Sequence, residues 1–405
     1  MSSLPIYLDY NATTPLDPAV RDAMMPYLDE GFGNPSSSHV YGQRAREAVA
    51  TARRQVAELI GAGPDEIVFT SGGSEANNHA LKGVCFRRGL ASRCHLITSA
   101  VEHPAVIEPC RYLERLGCRL TIVPVDSRGR VDPADVARAL CDDTALVSVM
   151  HANNEVGTIE PVREIAALCR GRGVLVHTDA AQSIGKVPVD VGELGVDLLT
   201  IAGHKLYAPK GIGVLYVRRG VELEPLVHGA AHESGRRAGT ENVPYQVALG
   251  TACELAGASL AMGHLNETRR LRDRLWQRLR EPLGDRVVPN GPPDLGANPL
   301  PPGEGRVRAA SDQIKSARGL PNTLNVNFVG TTGAAVLAAA PGVAASTGAA
   351  CHSDTVRLST TLQAMGVAPE LGRGAVRLSL GRFTTEGEVD RAAELLVAAY
   401  RRCAS

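Results

Sequence analysis

The stretch E-I-V-F-T-S-G-G-S-E-A-N-N-H-A-L, residues 66–81, holds the unit from which the fold is read. Five residues suited to a buried strand run into a serine and two glycines, and a helical pattern follows over 75–88. Strand, glycine turn and helix make half of a βαβ unit. The alternation continues with strand-like runs HLITSA (95–100), RLTIVPV (119–125), TALVSVM (144–150), VLVHTD (174–179), DLLTIAG (197–203) and GVLYVRR (213–219). Helices are expected near 104–117, 133–140 and 161–171, the second of these starting at Asp132 as N-cap with Pro133 behind it. Strands apolar on both faces, separated by helices, predict an α/β fold with a largely parallel sheet covered on both sides.

Farther along, 260–285 reads as one long amphipathic helix leaving this unit. A smaller α/β unit follows, with strands near 323–329 and 375–380 and a terminal helix from about 386. Thr385 and Glu388 have the spacing of a capping box for that helix. The segment 291–320, rich in proline, glycine and charge, reads as a surface insertion.

Composition narrows the function classes. Apolar residues make up 44% of the 405 and charged residues 21%, ordinary for a soluble globular protein. The 43 basic side chains balance 43 acidic ones, so neither nucleic acid nor an anionic membrane is expected as a partner. The N-terminus, MSSLPIYLDYN, has no basic stretch followed by an apolar run, and no stretch has the roughly 20 apolar residues that span a bilayer. A cytoplasmic location is expected. The cysteines at 85, 94, 110, 118, 141, 169, 253, 351 and 403 are scattered, odd in number and never C-x-x-C. Neither a metal site nor a disulfide framework is expected, and most of the nine should pack as small buried hydrophobes.

Three segments carry chemistry. In T-I-A-G-H-K-L-Y-A-P-K-G (200–211), Lys205 directly follows an apolar strand and a glycine turn. That is the C-terminal edge where open α/β sheets build their sites, and a neutral amine there suits a Schiff base with an aldehyde. The bland alternative is a solvated loop lysine. In V-H-T-D-A-A-Q-S (176–183), Asp179 ends an apolar strand, where a carboxylate pairs with a protonated pyridine nitrogen or simply caps the next turn. Gln182, a turn later, is placed to donate to a ring oxygen. In F-T-S-G-G-S-E-A-N-N (69–78), the glycine turn opens a helix whose first N–H groups and dipole suit a phosphate, with Gly73 and Ser74 in contact. Together these describe one ligand with a phosphate, a basic aromatic ring and an aldehyde: pyridoxal 5′-phosphate (PLP). His103, after another strand in S-A-V-E-H-P-A, is placed to stack on the ring, and His204 to bond the phosphate.

With these segments in hand, the sequence resembles the class V aminotransferase-like group of fold-type I PLP enzymes, and within it the cysteine desulfurases and selenocysteine lyases. The resemblance rests on Y-L-D-Y-N-A-T-T-P (7–15), G-N-P-S-S-S-H (33–39), T-S-G-G-S-E-A-N-N (70–78), H-A-N-N-E-V-G (151–157), H-T-D-A-A-Q-S-I-G-K (177–186), G-H-K-L-Y-A-P-K-G-I-G (203–213), R-R-A-G-T-E-N (236–242), G-A-A-C-H-S-D (348–354) and A-V-R-L-S-L-G-R (375–382). It implies a large domain (21–260) with a mostly parallel seven-stranded sheet and a smaller C-terminal domain (261–405) carrying a catalytic cysteine loop. An N-terminal segment (1–20) is expected to pack on the small domain.

The resemblance also implies roles. Lys205 holds PLP and moves the substrate's Cα proton; Asp179 pairs with the pyridine nitrogen; Gln182 contacts the ring hydroxyl; Ser74, the Gly73 amide and His204 bind the phosphate. Thr240 reaches the phosphate of a partner subunit, which implies a homodimer. His103 stacks on the ring and helps proton transfer. Asn11, Asn154 and Arg377 hold the substrate, Asn154 also touching the cofactor; Arg377 has the planar fork that matches a carboxylate. Cys351 attacks the sulfur of L-cysteine and carries it as a persulfide toward a sulfur-acceptor protein, with His103 or His352 as the nearby base.

Some residues depart from the pattern. Ala230, Ala231 and His232 stand in a stretch that is usually G-G-G-Q-E, and Ala202 replaces a phosphate-binding serine. The G-A-A-C-H-S-D loop is closer to the selenocysteine lyase version. Three readings therefore stand open at this point: a cysteine desulfurase acting on L-cysteine, a lyase acting on L-selenocysteine, and another class V transaminase or lyase.

Overall fold

The computed structural model describes residues 4–89, 94–292, 318–347, 349–352 and 355–404, with only the backbone of 349–352 and 355–357. A short strand, β1 (Ile6–Tyr7), leads into two helices that the alternating pattern did not single out, α1 (Pro18–Leu28) and α2 (Val40–Ile60). Both have local causes. Asp17 accepts from the Ala19 N–H with Pro18 in the first turn, and α2 buries Ala45, Val49, Ala52, Val56 and Ile60 along one stripe.

The large sheet comprises β2 (Ile67–Thr70), β3 (His95–Ser99), β4 (Arg119–Val123), β5 (Thr144–Ser148), β6 (Leu175–Asp179), β7 (Leu198–Ala202) and β8 (Gly213–Val217). Each lies within two residues of its expected bounds. The spatial order is β2-β8-β7-β6-β5-β3-β4. Pairing is parallel from β7 through β6, β5 and β3 to β4, while β8 runs antiparallel to both β7 and β2. The chain leaves β5 in one direction and β3 in the other, so a crevice opens beyond the C-terminal strand ends at this reversal. The loops after β3, β5, β6 and β7 meet there, as does the start of α3 (Gly73–Arg88). The helix α4 (Pro104–Arg115) follows β3.

The smaller unit pairs β9 (Val287–Asn290), β10 (Thr323–Phe328), β12 (Ser346–Thr347) and β15 (Ala375–Ser379), all antiparallel, in the order β12-β15-β10-β9. β11 (Val343–Ala344) takes β1 as a parallel partner. β13 (Ala349–His352) and β14 (Thr355–Leu358) form a hairpin with Cys351 opposite Val356. The terminal helix Glu386–Cys403 starts with the expected box: Thr385 accepts from the Glu388 N–H, and Glu388 accepts from the Thr385 N–H.

Four apolar clusters are buried among the described residues, and two of them are extensive. One joins the large sheet to α2 and to the helix Val243–Ala261; the other gathers Leu8, Leu271, Leu275, Trp276, Phe328, Leu378 and Tyr400. The long helix expected over 260–285 is found over His264–Leu283, its start set a few residues later. Val243–Ala261 ends, Gly263 takes a left-handed φ of 74°, and a new helix runs His264–Leu283. Glycine supplies that φ without a Cβ clash, and the break was legible only as one residue in an amphipathic run. Of the 291–320 insertion, residues 293–317 lie outside the described residues.

Candidate active site

A cavity of about 780 Å³ sits in the crevice, lined by Asn11, Gly73, Ser74, His103, Asn154, Asp179, Gln182, His204, Lys205 and Arg377 among others. Ten of the twelve expected site residues thus converge from seven chain segments. Thr240 is exposed and lines a neighbouring pocket that shares Ser71, Gly211 and Ile212 with the first. Cys351 is placed on the β13–β14 hairpin by its backbone; its side chain and that of His352 lie outside the described residues.

The floor is built from β7. The strand ends at Ala202, and a single turn, Gly203–Lys205, aims the lysine back over the sheet edge. Lys205 Nζ donates to Asn11 O at 2.5 Å and to Ala12 O at 2.7 Å. Burial, assisted by the Arg377 charge and opposed by Asp179 and Asp9, brings its pKa down to about 8. His204 bonds Thr13 Oγ1 through Nδ1 at 3.2 Å, and burial with the nearby lysines holds it down at about 4, so it is neutral.

One wall is the start of α3. Gly72 has φ 149°, open to glycine, and the first intrahelical bond runs from Ala76 N–H to Gly72 O. The N–H groups of Gly73, Ser74 and Glu75 precede that bond and therefore have no partner within the helix, where the dipole is positive. Ala202 lies against this turn: a Cβ on Gly73 would meet its methyl at 3.2 Å.

Asp179 ends β6 with both oxygens engaged. Oδ2 accepts from Asn77 Nδ2 at 2.7 Å, and Oδ1 accepts from the Ala181 N–H at 2.9 Å. The turn-capping reading and the site reading thus hold together: one oxygen fixes the turn and the other is held by a residue of α3. Asn77 was not singled out from the sequence, although it lies one turn past Gly73 on the cavity side. Gln182 donates to Asn11 O at 2.9 Å and accepts from Lys186 at 2.7 Å.

His103 is also the N-cap of α4, where Nδ1 accepts from the Ala105 N–H at 3.1 Å. That bond places the neutral ring's proton on Nε2. Desolvation, with Lys205 adding and Asp179 opposing, lowers its pKa.

Arg377, on β15, is 9% exposed. Its Nη2 donates to Asp9 at 2.7 Å and to Ser346 Oγ at 3.1 Å, and its Nη1 donates to Asn154 O at 3.1 Å. Its buried Nε has no partner among the described residues. Asn11 lines the cavity as expected. Its Nδ2 donates to Asn154 O and Thr323 Oγ1, while its Oδ1 accepts from Lys186 and Asn322. These bonds tie the side chain into the cavity wall.

The residues fit PLP. An anion-accepting helix start, a desolvated amine of lowered pKa, a fixed carboxylate and an arginine with an orphaned N–H share one cavity. Each matches one group of the cofactor or of an α-amino-acid substrate.

Comparison with known proteins agrees with this geometry. Residues 6–292 match the aminotransferase class-V family. The chain is 44% identical over 393 residues to a protein named cysteine desulfurase IscS from Dictyoglomus turgidum, covering 96% of this chain and 93% of that one. It is 44% identical over 398 residues to a namesake from Pectobacterium carotovorum, covering 97% and 92%. Among solved structures, a NifS-like protein superposes with a TM-score of 0.86 at 35% identity, covering 98% of this chain and 99% of that one. SspA in complex with cysteine superposes at 0.76 with 33% identity, covering 94% and 99%.

Proposed function

Because the chain belongs to the class-V aminotransferase family, and within it to the cysteine desulfurases, we propose that it is a PLP-dependent enzyme that takes sulfur from L-cysteine and leaves L-alanine. The observation that carries this reading is the convergence of Lys205, Asp179 and the start of α3 on one cavity with Arg377. PLP, when bound, supplies an electron sink for the charge left at the substrate's Cα.

The chain's own residues do the rest. The N–H groups of Gly73 and Ser74, with His204, hold the phosphate. Asp179, locked by Asn77 and the Ala181 N–H, presents a fixed carboxylate to the pyridine nitrogen. Lys205, with a pKa of about 8, is partly neutral near neutral pH and moves the Cα proton. His103 donates from Nε2 while the Ala105 N–H fixes its tautomer. Arg377, braced by Asp9 and Asn154 O, holds the substrate carboxylate. The Cys351 thiolate attacks the substrate sulfur: an S–S bond forms, the substrate's Cβ–S bond breaks, and its carbon skeleton is protonated to alanine. The balance is cysteine plus the Cys351 thiol giving alanine plus the Cys351 persulfide.

The working unit in this proposal is a homodimer. Thr240, exposed beside the cavity wall, reaches the phosphate of the partner subunit, and the persulfide passes to an acceptor protein in the cytoplasm. Among the described residues no helix is long and apolar enough to cross a membrane.

The test is alanine formation from L-cysteine and from L-selenocysteine by the holoenzyme and by Cys351→Ala. Alanine from L-cysteine that disappears in the variant supports the reading. Equal turnover in the variant removes Cys351 from the mechanism, and alanine from L-selenocysteine alone turns the assignment to the lyase.

A further inference from the structure

Roughly 18 Å along α3 from Gly73, at 1.5 Å per residue, Cys85 lies in the helix's last turn. It meets Cys94, the residue before β3, and Cys118, the residue before β4. These strands run side by side, and the Arg119 N–H donates to Cys94 O at 2.8 Å. That pairing brings Cys94 and Cys118 together, and the turn of α3 lays Cys85 over them. All three sulfurs lie within 4.8 Å of one another. The residues are 0%, 6% and 3% exposed, within an apolar core of Val84, Leu96, Leu113 and neighbours.

Simple packing would turn each small thiol toward its apolar neighbours. Here the three sulfurs turn toward each other. Cys110 shares the same apolar core but is not part of the trio. A metal–sulfur bond of about 2.3 Å puts the sulfurs of a trigonal site about 4.0 Å apart, within the observed limit. Three sulfurs without a fourth ligand among the described residues, in a nearly dry pocket, suit a soft d10 monovalent cation better than a tetrahedral divalent one.

We propose that Cys85, Cys94 and Cys118 form a trigonal thiolate site for a soft thiophilic cation, with Cu(I) as its match, remote from the PLP cavity. Coordination forms metal–sulfur bonds, and the displaced thiol protons pass to solvent with no change of oxidation state. The site clamps the far end of the helix whose beginning holds the cofactor phosphate, and joins it to two strands of the sheet.

The experiment is an anaerobic titration of the reduced holoenzyme with Cu(I), in competition with a chromophoric Cu(I) chelator. It is repeated on Cys118→Ser and on the double variant Cys85→Ala/Cys94→Ala, and copper X-ray absorption is recorded on the one-equivalent sample. Both variants should keep the PLP absorption and alanine formation, which shows that they are folded. The wild type should take up one tight equivalent with three sulfur neighbours, and the variants should bind it at least about 100-fold more weakly. Equal uptake by wild type and folded variants, or a first equivalent with two sulfurs, overturns the proposal.

Discussion

Lys205 sets the acid–base behaviour of the site. An amine whose ordinary pKa is 10.5 is held at about 8 because burial disfavours its charge and Arg377 repels it. The neutral amine is the form that captures an aldehyde, and it is the minor form below that pKa. Protein stripped of cofactor should therefore bind PLP at a rate that climbs about tenfold per pH unit up to about 8 and then levels. Stopped-flow absorbance of the bound cofactor reads this directly, and a rate flat across that range would show that the amine is not the reacting group. Arg377 allows a second prediction. Its guanidinium bridges Asp9, Ser346 and Asn154 and keeps its buried Nε–H uncommitted among the described residues. Lysine supplies the charge without the planar fork. Arg377→Lys should raise KM for L-cysteine about 10- to 100-fold while the cofactor absorption stays as it is, which steady-state kinetics checks. An unchanged KM would assign Arg377 to the Asp9 ion pair alone.

Among elements, the start of α3 is tightly constrained, because the Gly72 turn that opens it passes close to β8. A Cβ on Gly213 would meet Gly72 backbone atoms and the Ile201 carbonyl at 2.7 Å, none of which belongs to a flexible side chain. Gly213→Ala should cost about 1–3 kcal/mol of stability, and it should weaken PLP binding because the strain falls on the phosphate-binding turn. Chemical denaturation and cofactor titration on one preparation separate the two effects. A loss of stability with unchanged PLP affinity would mean that α3 keeps its place. The strand–turn–helix unit was legible because its residues are adjacent in the chain. The break at Gly263 was less so, since the residues on both sides of it keep a helical pattern.

Across the whole molecule, Asn11 ties the parts together. Its backbone carbonyl accepts from Gln182 and Lys205, its amide bonds Asn154, Lys186, Asn322 and Thr323, and its N–H donates to Ser379. These partners come from both cores' layers, and Leu8, three residues earlier, is buried in the second core. Asn11→Ala would leave buried partners unsatisfied. It should cost about 1–3 kcal/mol in urea unfolding and lower turnover by loosening Lys205. Unchanged stability would show that water replaces the amide. We retain 1–20, 21–260 and 261–405 as proposed divisions, to be tested by limited proteolysis at their boundaries.

By itself the sequence determined the β–turn–α alternation, the capping box at Thr385 and the identities of Lys205, Asp179 and the Gly73–Ser74 turn. Each of these depends on residues next to one another in the chain, where period and spacing carry the information. Only the tertiary structure decided that Asn77 holds Asp179 and that Lys186 and Asn322 bond the Asn11 amide. It also brought the sulfurs of Cys85, Cys94 and Cys118 together. These partners are separated in sequence by up to 311 positions, and no local pattern marks them. Long-range contacts are set by strand register and helix placement across the sheet, so the same residues with a different strand order would not meet.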